Sequence, residues 1–527
     1  MLVYARSPTP QEDPMAAGST TAARALLPVM CFVVMNVAVL QTLVVPIVGT
    51  IGAQLDVGPT AVGWLLTANL LAAATATPVL GRLADLRGKR PVLLGVLVVV
   101  LLGSLIGAVS TSVGVLIFAR VLQGVSFALF PIGIAVLRDE LPAEKLTGAM
   151  GIFSGTLGFG GCFGIVLTGV LVSDGADFHR VFWLSSAITA AGLVLAWIAI
   201  PRRPRAGTGS IDWVGAVALA AGLVLVLLPL AEGGTWGWTS PITIGSGVAG
   251  ILVLIGWFLY ERRVTDPLVA PRLLTDPPVL VTHLSALVVG MSMFVMFLGS
   301  SYFVQTPRAV AGYGFGATVL EASTVYLLPG AISGVLASIL SGRIIHRFGS
   351  RAVLIAASVV GVGGFFVFIL AHDHTWEVIA AIVLINTYIS LAYASLPSLL
   401  VAEVRQDETG VANSINSIAR SVGSSFASAL LATLLAGITI DGTDVPTESA
   451  YVIAFAVGAG AAALAGLLPF FGITRTTRTP SDDEEDEVHA TALAAEWGTV
   501  GGLGGANTRR SGERTTGGQR VRFAPEF

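Results

Sequence analysis

Charge is scarce in this sequence. Asp, Glu, Lys and Arg make up 12% of its 527 residues, against about 25% in a soluble domain. A water-soluble surface cannot be assembled from so little. The basic residues are scattered through short segments and the net charge is −3, so no nucleic-acid surface is indicated. Cysteine is nearly absent too. Cys31 and Cys162 both fall inside apolar runs, which argues against a disulfide framework, a metal site or thiol chemistry. No Gly-x-x-x-x-Gly-Lys-[Ser/Thr] loop is present to hold ATP. No nucleophile set or metal-ligand spacing appears either, and His372-Asp-His374 reads as a solvated outer-loop cluster, so neither an enzyme nor a resident cofactor is expected.

What the chain has instead is apolar length. Apolar residues make up 54% of it, and a bilayer core about 30 Å thick is crossed by roughly 20 residues of apolar helix. Such runs recur near 25–50, 61–80, 91–111, 113–136, 146–172 and 181–200, then near 212–231 and 243–260. After a polar connector, Glu261 to Pro278, six more follow near 279–304, 320–341, 352–371, 377–402, 410–436 and 450–472. Main-chain polar groups in lipid must be satisfied within the segment, and these runs are too long for barrel strands. The expected fold is therefore all-α and integral to the membrane, with fourteen transmembrane helices. The segment Met1 to Ala23 carries Glu12 and Asp13 and lacks the basic start of a secretory signal, so the first run is read as a retained span.

Charge in the loops sets direction. Alternate loops hold sixteen basic residues, among them Arg82, Arg87, Lys89, Arg90, Arg138 and Arg351, whereas the opposite loops hold only Arg180 and Arg308. The positive-inside rule then places the basic loops and both termini in the cytoplasm. An internal repeat divides the spans. Gly81-Arg-Leu-Ala-Asp-Leu-Arg-Gly-Lys-Arg90 is echoed 261 residues later by Gly342-Arg-Ile-Ile-His-Arg-Phe-Gly-Ser-Arg351, each after the second span of its group. The organisation read from this is a cytoplasmic, disordered N-terminal tail at 1–24, a six-helix bundle at 25–200, an inserted helix pair with linkers at 201–278, a second six-helix bundle at 279–472, and a disordered cytoplasmic tail at 473–527. Parallel duplication of this kind is expected of a carrier whose halves rock about a central site. The tail contains Ser481-Asp-Asp-Glu-Glu-Asp-Glu487, too polar to fold by burial.

The run from Gly81 to Arg90 resembles the motif that follows the second helix in the major facilitator superfamily. Gly81 and Gly88 permit a tight turn at the membrane surface, and Asp85, Lys89 and Arg90 are suited to exchangeable ion pairs with a neighbouring helix end, a conformational switch. The fourth span carries Arg120-Val-Leu-Gln123-Gly124, with Ala128 and Pro131, and resembles the family's second motif. That resemblance implies that Arg120, with Gln123, influences a carboxylate during proton coupling. The alternative is an interhelical hydrogen-bonding post. In the fifth span Gly160, Gly164 and Gly169 align with the family's antiporter motif, but Ile165 and Thr168 replace its proline and a glycine. Close helix packing is what those glycines still imply.

Fourteen spans with a central pair, Glu232 to Trp238 and the run Ala412 to Gly423 resemble the fourteen-helix drug:proton antiporter branch. That branch has an aspartate in its first helix, and none stands between Asn36 and Pro46 here. Glu321, opening the tenth span, is then the preferred proton-coupling candidate, although a helix-terminal carboxylate stabilised by the dipole reads equally well. Glu232 and Glu377 adjoin outer loops and read as hydrated. Arg420 is a second buried charge, suited to pairing with Glu321 or to an anionic substrate. Asn36, Gln41, Asn69, Gln305, Tyr326, Asn386, Tyr388, Tyr393, Asn413 and Asn416 are cavity candidates, or bridges between helices.

The leading expectation is a monomeric, proton-driven exporter of amphipathic small molecules in a bacterial inner membrane, working by alternating access. Its partners are the substrate, protons and the lipid bilayer. An importer or uniporter on the same fold, and a transport-inactive sensor, are the alternatives.

Overall fold

The computed structural model describes residues 14–172, 176–202, 210–405, 408–440, 442–443 and 445–472. The tail at 473–527, with its acidic run, lies outside the described residues. Fourteen long helices carry the fold. The first six are α1 (Pro14–Thr42), α2 (Pro59–Arg87), α3 (Lys89–Ala108), α4 (Val113–Glu140), α5 (Ala143–Leu171) and α6 (His179–Ala199). Then come α7 (Trp213–Trp236) and α8 (Pro241–Glu261). The last six are α9 (Pro277–Gln305), α10 (Ala322–Phe348), α11 (Ser350–Leu370), α12 (Thr375–Glu403), α13 (Thr409–Gly437) and α14 (Glu448–Gly472). Among the described residues, thirteen of these are long and apolar enough to cross a membrane; α5, at 29 residues, contributes the shorter apolar stretch Gly148–Leu157. Helix α1 begins at Pro14, ahead of the expected start at residue 25, and its apolar part is Ala25–Thr42.

The helix ends follow local chemistry. Proline occupies the first helical turn of α2, α8 and α9, where its missing N–H costs nothing. Side chains of Ser112, Asp212 and Ser240 accept main-chain N–H bonds at the starts of α4, α7 and α8. Gly88 separates α2 from α3 at φ 99°, and Gly349 separates α10 from α11 at φ 81°. Both occupy a backbone region that disfavours any side chain. Two π-helical turns, Val295–Gly299 in α9 and Ala322–Leu327 at the start of α10, interrupt the regular ladder.

The two largest apolar cores among the described residues are segregated along the chain. One draws its buried residues from Leu26 to Ile200, the other from Ala286 to Ala465. Within the first group α1 packs on α5 and α6, and α4 on α2 and α3; within the second α9 packs on α13 and α14, and α11 on α12 and α14. The groups meet along a seam where α2 and α4 touch α13 while α5 touches α10 and α12. Helix α7 closes one side of that seam by packing on both α2 and α13. A small core that includes Ala74, Leu219, Leu223, Leu400 and Val411 joins them. Helix α8 packs on α7 and is the least buried of the spans. Its exposed Ile244, Val248, Ile251, Leu252 and Ile255 make an apolar outer face, suited to lipid and not to water.

Candidate functional site

Three polar assemblies interrupt the apolar interior. The first lies at the end of the seam where α2, α4, α10 and α12 finish and where α3, α5, α11 and α13 begin. Helix α13 opens with unsatisfied main-chain N–H groups, as every helix does, and the residue at its cap, Glu408, makes no side-chain cap. Asp85, on the last turn of α2, supplies the acceptor from across the seam. Its carboxylate accepts from the N–H of Val411 at 3.3 Å, where the positive end of the helix dipole favours an anion. Such closeness requires glycine twice. A Cβ at Gly81 would overlap Ser414 Oγ, and one at Gly410 would lie 2.6 Å from Asp85 Oδ1.

The other motif residues take separate partners. Lys89 pairs with Asp139 at the end of α4, and Arg90 donates to the carbonyl of Trp197 in the last turn of α6. Arg138 crosses the seam as well, donating to the carbonyls of Val401 and Val404 at 3.2 and 3.1 Å and to Thr409 Oγ1.

The echo at Gly342 to Arg351 repeats this geometry. Arg351 donates to the carbonyls of Pro469 and Phe470 at the end of α14, as Arg90 does at the end of α6. Gly342 faces the main chain of Gly148 at the start of α5, as Gly81 faces Gly410 at the start of α13. Gly151 and Gly155 continue that contact against Ser341 and Ser338. One difference stands out. His346 occupies the place of Asp85 and is exposed, so the echo does not repeat the carboxylate contact of Asp85.

The second assembly centres on Arg120, buried in α4 at 1% exposure. It donates to the carbonyl of Leu40 at 2.9 Å, to that of Leu65 at 3.1 Å and to Gln123 Oε1 at 2.8 Å. Leu40 is in the last turn of α1, whose carbonyls lack helical partners, so the cation caps that helix. Gln123 passes the chain on to Ser104 at 3.0 Å, and Asn69 donates to the carbonyl of Arg120 itself. No acidic side chain pairs with Arg120 among the described residues.

The third assembly is at the middle of the seam. Arg420 is 6% exposed and lies eleven residues into α13, roughly 16 Å from its start at 1.5 Å per residue. It donates to Asn416 Oδ1 at 3.1 Å and Ser417 Oγ at 3.3 Å. Its guanidinium stands 5.0 Å from the ring centre of Phe130 on α4 and 4.7 Å from that of Tyr393 on α12, within the range of cation–π attraction.

The remaining candidates are distributed among helix bridges. Asn36 donates to Thr189 Oγ1 on α6 at 3.1 Å, and Asn416 to the carbonyl of Thr282 on α9 at 3.4 Å. Gln305, Asn386 and Asn413 donate to carbonyls of their own helices, and Asn386 and Tyr393 also reach the sulfurs of Met296 and Met293. Tyr326 meets Thr375 at 3.4 Å. The Tyr388 ring fills the space over Gly361. Gln41 is half-buried. Gly160 and Gly164 face Met35, Ala38, Val39 and Thr42 of α1, close packing of the kind the glycines imply. The surroundings of Gly169 lie outside the described residues.

The acids sit differently from their expected places. Glu321 is exposed at the far end of α10. Its carboxylate accepts from the N–H and Oγ1 of Thr318, which holds it below the usual carboxylate range. No ion pair joins it to Arg420. Glu232, expected to be hydrated, is instead 6% exposed. It accepts from Thr67 on α2 at 3.2 Å and from Thr235 at 3.0 Å. The packing of α7 on α2, α8 and α13 encloses it, and its position near a helix end in the sequence concealed that. Glu377 closes a capping box with His374 at the start of α12.

Residues 30–428 match the family profile described as Major Facilitator Superfamily. The multidrug transporter protein MdtP of Bacillus subtilis is 24% identical over 414 residues, covering 78% of this chain and 74% of that protein. The puromycin resistance protein pur8 of Streptomyces alboniger is 27% identical over 468 residues, covering 83% and 88%. Among solved structures, that of the proton:xylose symporter XylE is similar at a TM-score of 0.58 with 12% identity, covering 84% of this chain and 95% of that one. These relatives are bacterial, and the helices described above make this a multi-pass membrane protein. The chain belongs to the major facilitator superfamily and is a membrane transporter, not an enzyme.

Proposed function

We propose that the chain is a proton-driven exporter of amphipathic small molecules that works by alternating access, with fourteen crossings arranged six, two and six and both termini in the cytoplasm. The observation that carries alternating access is the contact of Asp85 with the first turn of α13. It joins the two groups of helices through one charge and one N–H, beside the bonds that Arg138 makes across the same end of the seam. Rocking has to break these non-covalent bonds together. The names of the relatives, a multidrug transporter and a puromycin resistance protein, support export of organic compounds. Glu232, buried against Thr67, supports a carboxylate within the helices as the proton carrier.

Reconstituted protein with a trapped pH-sensitive dye tests the reading. Addition of a substrate drug on one side is expected to move protons the opposite way. Drug flux that ignores an imposed pH gradient would overturn proton coupling.

A second reading, import or uniport, is favoured by two observations: α1 carries no acid between Asn36 and Thr42, and Arg120 has no acidic partner among the described residues. The same fold serves a proton:xylose symporter, so direction is decided by the flux assay and not by architecture.

A further inference from the structure

Arg120 and Arg420 are both buried arginines without acidic partners among the described residues, yet their surroundings differ. Arg120 spends its donors on main-chain carbonyls of two other helices and on Gln123, acceptors fixed in place by the helices that bear them. Arg420 bonds only to neutral side chains, Asn416 and Ser417 of its own preceding turn and the Tyr393 hydroxyl on α12. A guanidinium has five N–H donors in a planar fork, and those three partners leave donors for another acceptor. The depth matters as well. Phe130, Tyr393 and Arg420 each lie ten or eleven residues from the latch end of their helices, about half the thickness of the bilayer core. The rings come from opposite sides of the seam, so the movement that opens the seam also opens the faces beside the cation.

The buried acids of the described residues are Asp85, Glu232 and Glu261, and each belongs to the last turn or two of its helix. The seam therefore has a positive charge at mid-depth and no negative one facing it. A cation placed there meets like charge in a medium of low dielectric constant. A carboxylate gains a charge-assisted and geometrically matched pair, and an aromatic body gains two aromatic neighbours.

Resting on the transporter reading above, we infer that Arg420 is the recognition point for the substrate's charge, and that the substrate is an organic anion with a flat aromatic body. Its carboxylate pairs with the guanidinium while its ring system packs beside Phe130 and Tyr393 as the seam opens. Transport of such an anion outward runs with an inside-negative membrane potential, so the anion's own charge contributes to the driving force.

Three probes that differ only at the end of the same side chain test this: 1-pyrenebutyrate, 1-pyrenebutanol and 1-pyrenebutylamine. Binding to the purified full chain is read by energy transfer from its tryptophans. The butyrate is expected to bind roughly tenfold tighter than the alcohol, and the amine weakest. Arg420→Gln should abolish that order, Arg420→Lys should keep part of it, and Phe130→Leu should weaken all three probes without reordering them. The Lys and Leu variants also cover the case in which Arg420→Gln fails to fold. Amine binding as tight as butyrate binding, no binding of any probe, or an unchanged order in Arg420→Gln would overturn the inference. If the binding order holds while proteoliposomes show no pyrenebutyrate flux, the anion site stands and the transport reading falls.

Discussion

Asp85 on α2 and Val411 on α13 are 326 residues apart in sequence and are joined by a single hydrogen bond of 3.3 Å. The bond caps a helix that has no cap of its own. An anion at a helix N-terminus contributes about 0.3–1 kcal/mol, up to about 2 when partly buried. Asp85→Asn keeps the shape and removes the charge, so the latched state should lose roughly twofold to tenfold in population. The measurement is the labelling rate of a cysteine placed at Ser414, which should rise, alongside flux, which should fall while the amount of inserted protein stays constant. Unchanged labelling and flux would show that the contact holds nothing.

Gly81 and Gly342 offer a paired test of close approach. Gly81→Ala collides with Ser414 Oγ, a side chain that can be removed. Transport lost in Gly81→Ala should return in part in Gly81→Ala with Ser414→Gly, so the double-mutant cycle is expected to be non-additive. Gly342→Ala collides with the main chain of Gly148, which has no side chain to give up, and no substitution at 148 should rescue it. Equal rescue at both places would contradict the geometry.

Arg120 caps the end of α1 and ties it to α2. A lysine ammonium lacks the fork needed to reach both carbonyls. Thermal unfolding in detergent should show Arg120→Lys and Arg120→Gln both less stable, by about 1–2 kcal/mol from loss of the cap, with Lys no better than halfway to the native protein. A fully native melting curve for Arg120→Lys would mean that the charge, and not the fork, is what matters.

Glu321 and Glu232 are separable by substitution. The Thr318 N–H and hydroxyl hold the Glu321 carboxyl below its ordinary value of 4.5. A depressed carboxylate contributes stability above its unfolded pKa and loses it as pH falls through the folded value, so Glu321 stays ionised throughout the neutral range. Glu321→Gln should leave the pH profile of transport between 6 and 8 where it was and remove only a stability contribution that vanishes in acid. Glu232→Gln, at the buried Thr67 contact, should uncouple flux from an imposed pH gradient. The reverse pattern would restore Glu321 as the coupling acid.

Much of the helical framework is legible in the sequence because lipid makes it a local matter. Each segment must satisfy its own main-chain bonds, so apolar length and the polar breaks between runs mark the helices. The 261-residue echo is legible for a similar reason. Gly88 and Gly349 share a backbone conformation, and Arg90 and Arg351 cap the neighbouring helix ends. Partners are another matter. Nothing near Asp85 in sequence names Val411, and nothing near Arg420 names Phe130.

The sequence by itself determined an all-helical membrane protein, the places where its helices break, and the repeat that relates its two groups. Only the tertiary structure decided which polar residues meet: Asp85 across the seam, Glu232 inward onto Thr67, Glu321 outward, Arg420 between two rings. The reason is physical. Helices this apolar on every side carry little information about which face turns inward, and in lipid their lateral association comes from close packing and a few hydrogen bonds instead of a hydrophobic drive. Rotation about each helix axis, and with it every polar partnership, is settled only when all the helices pack together.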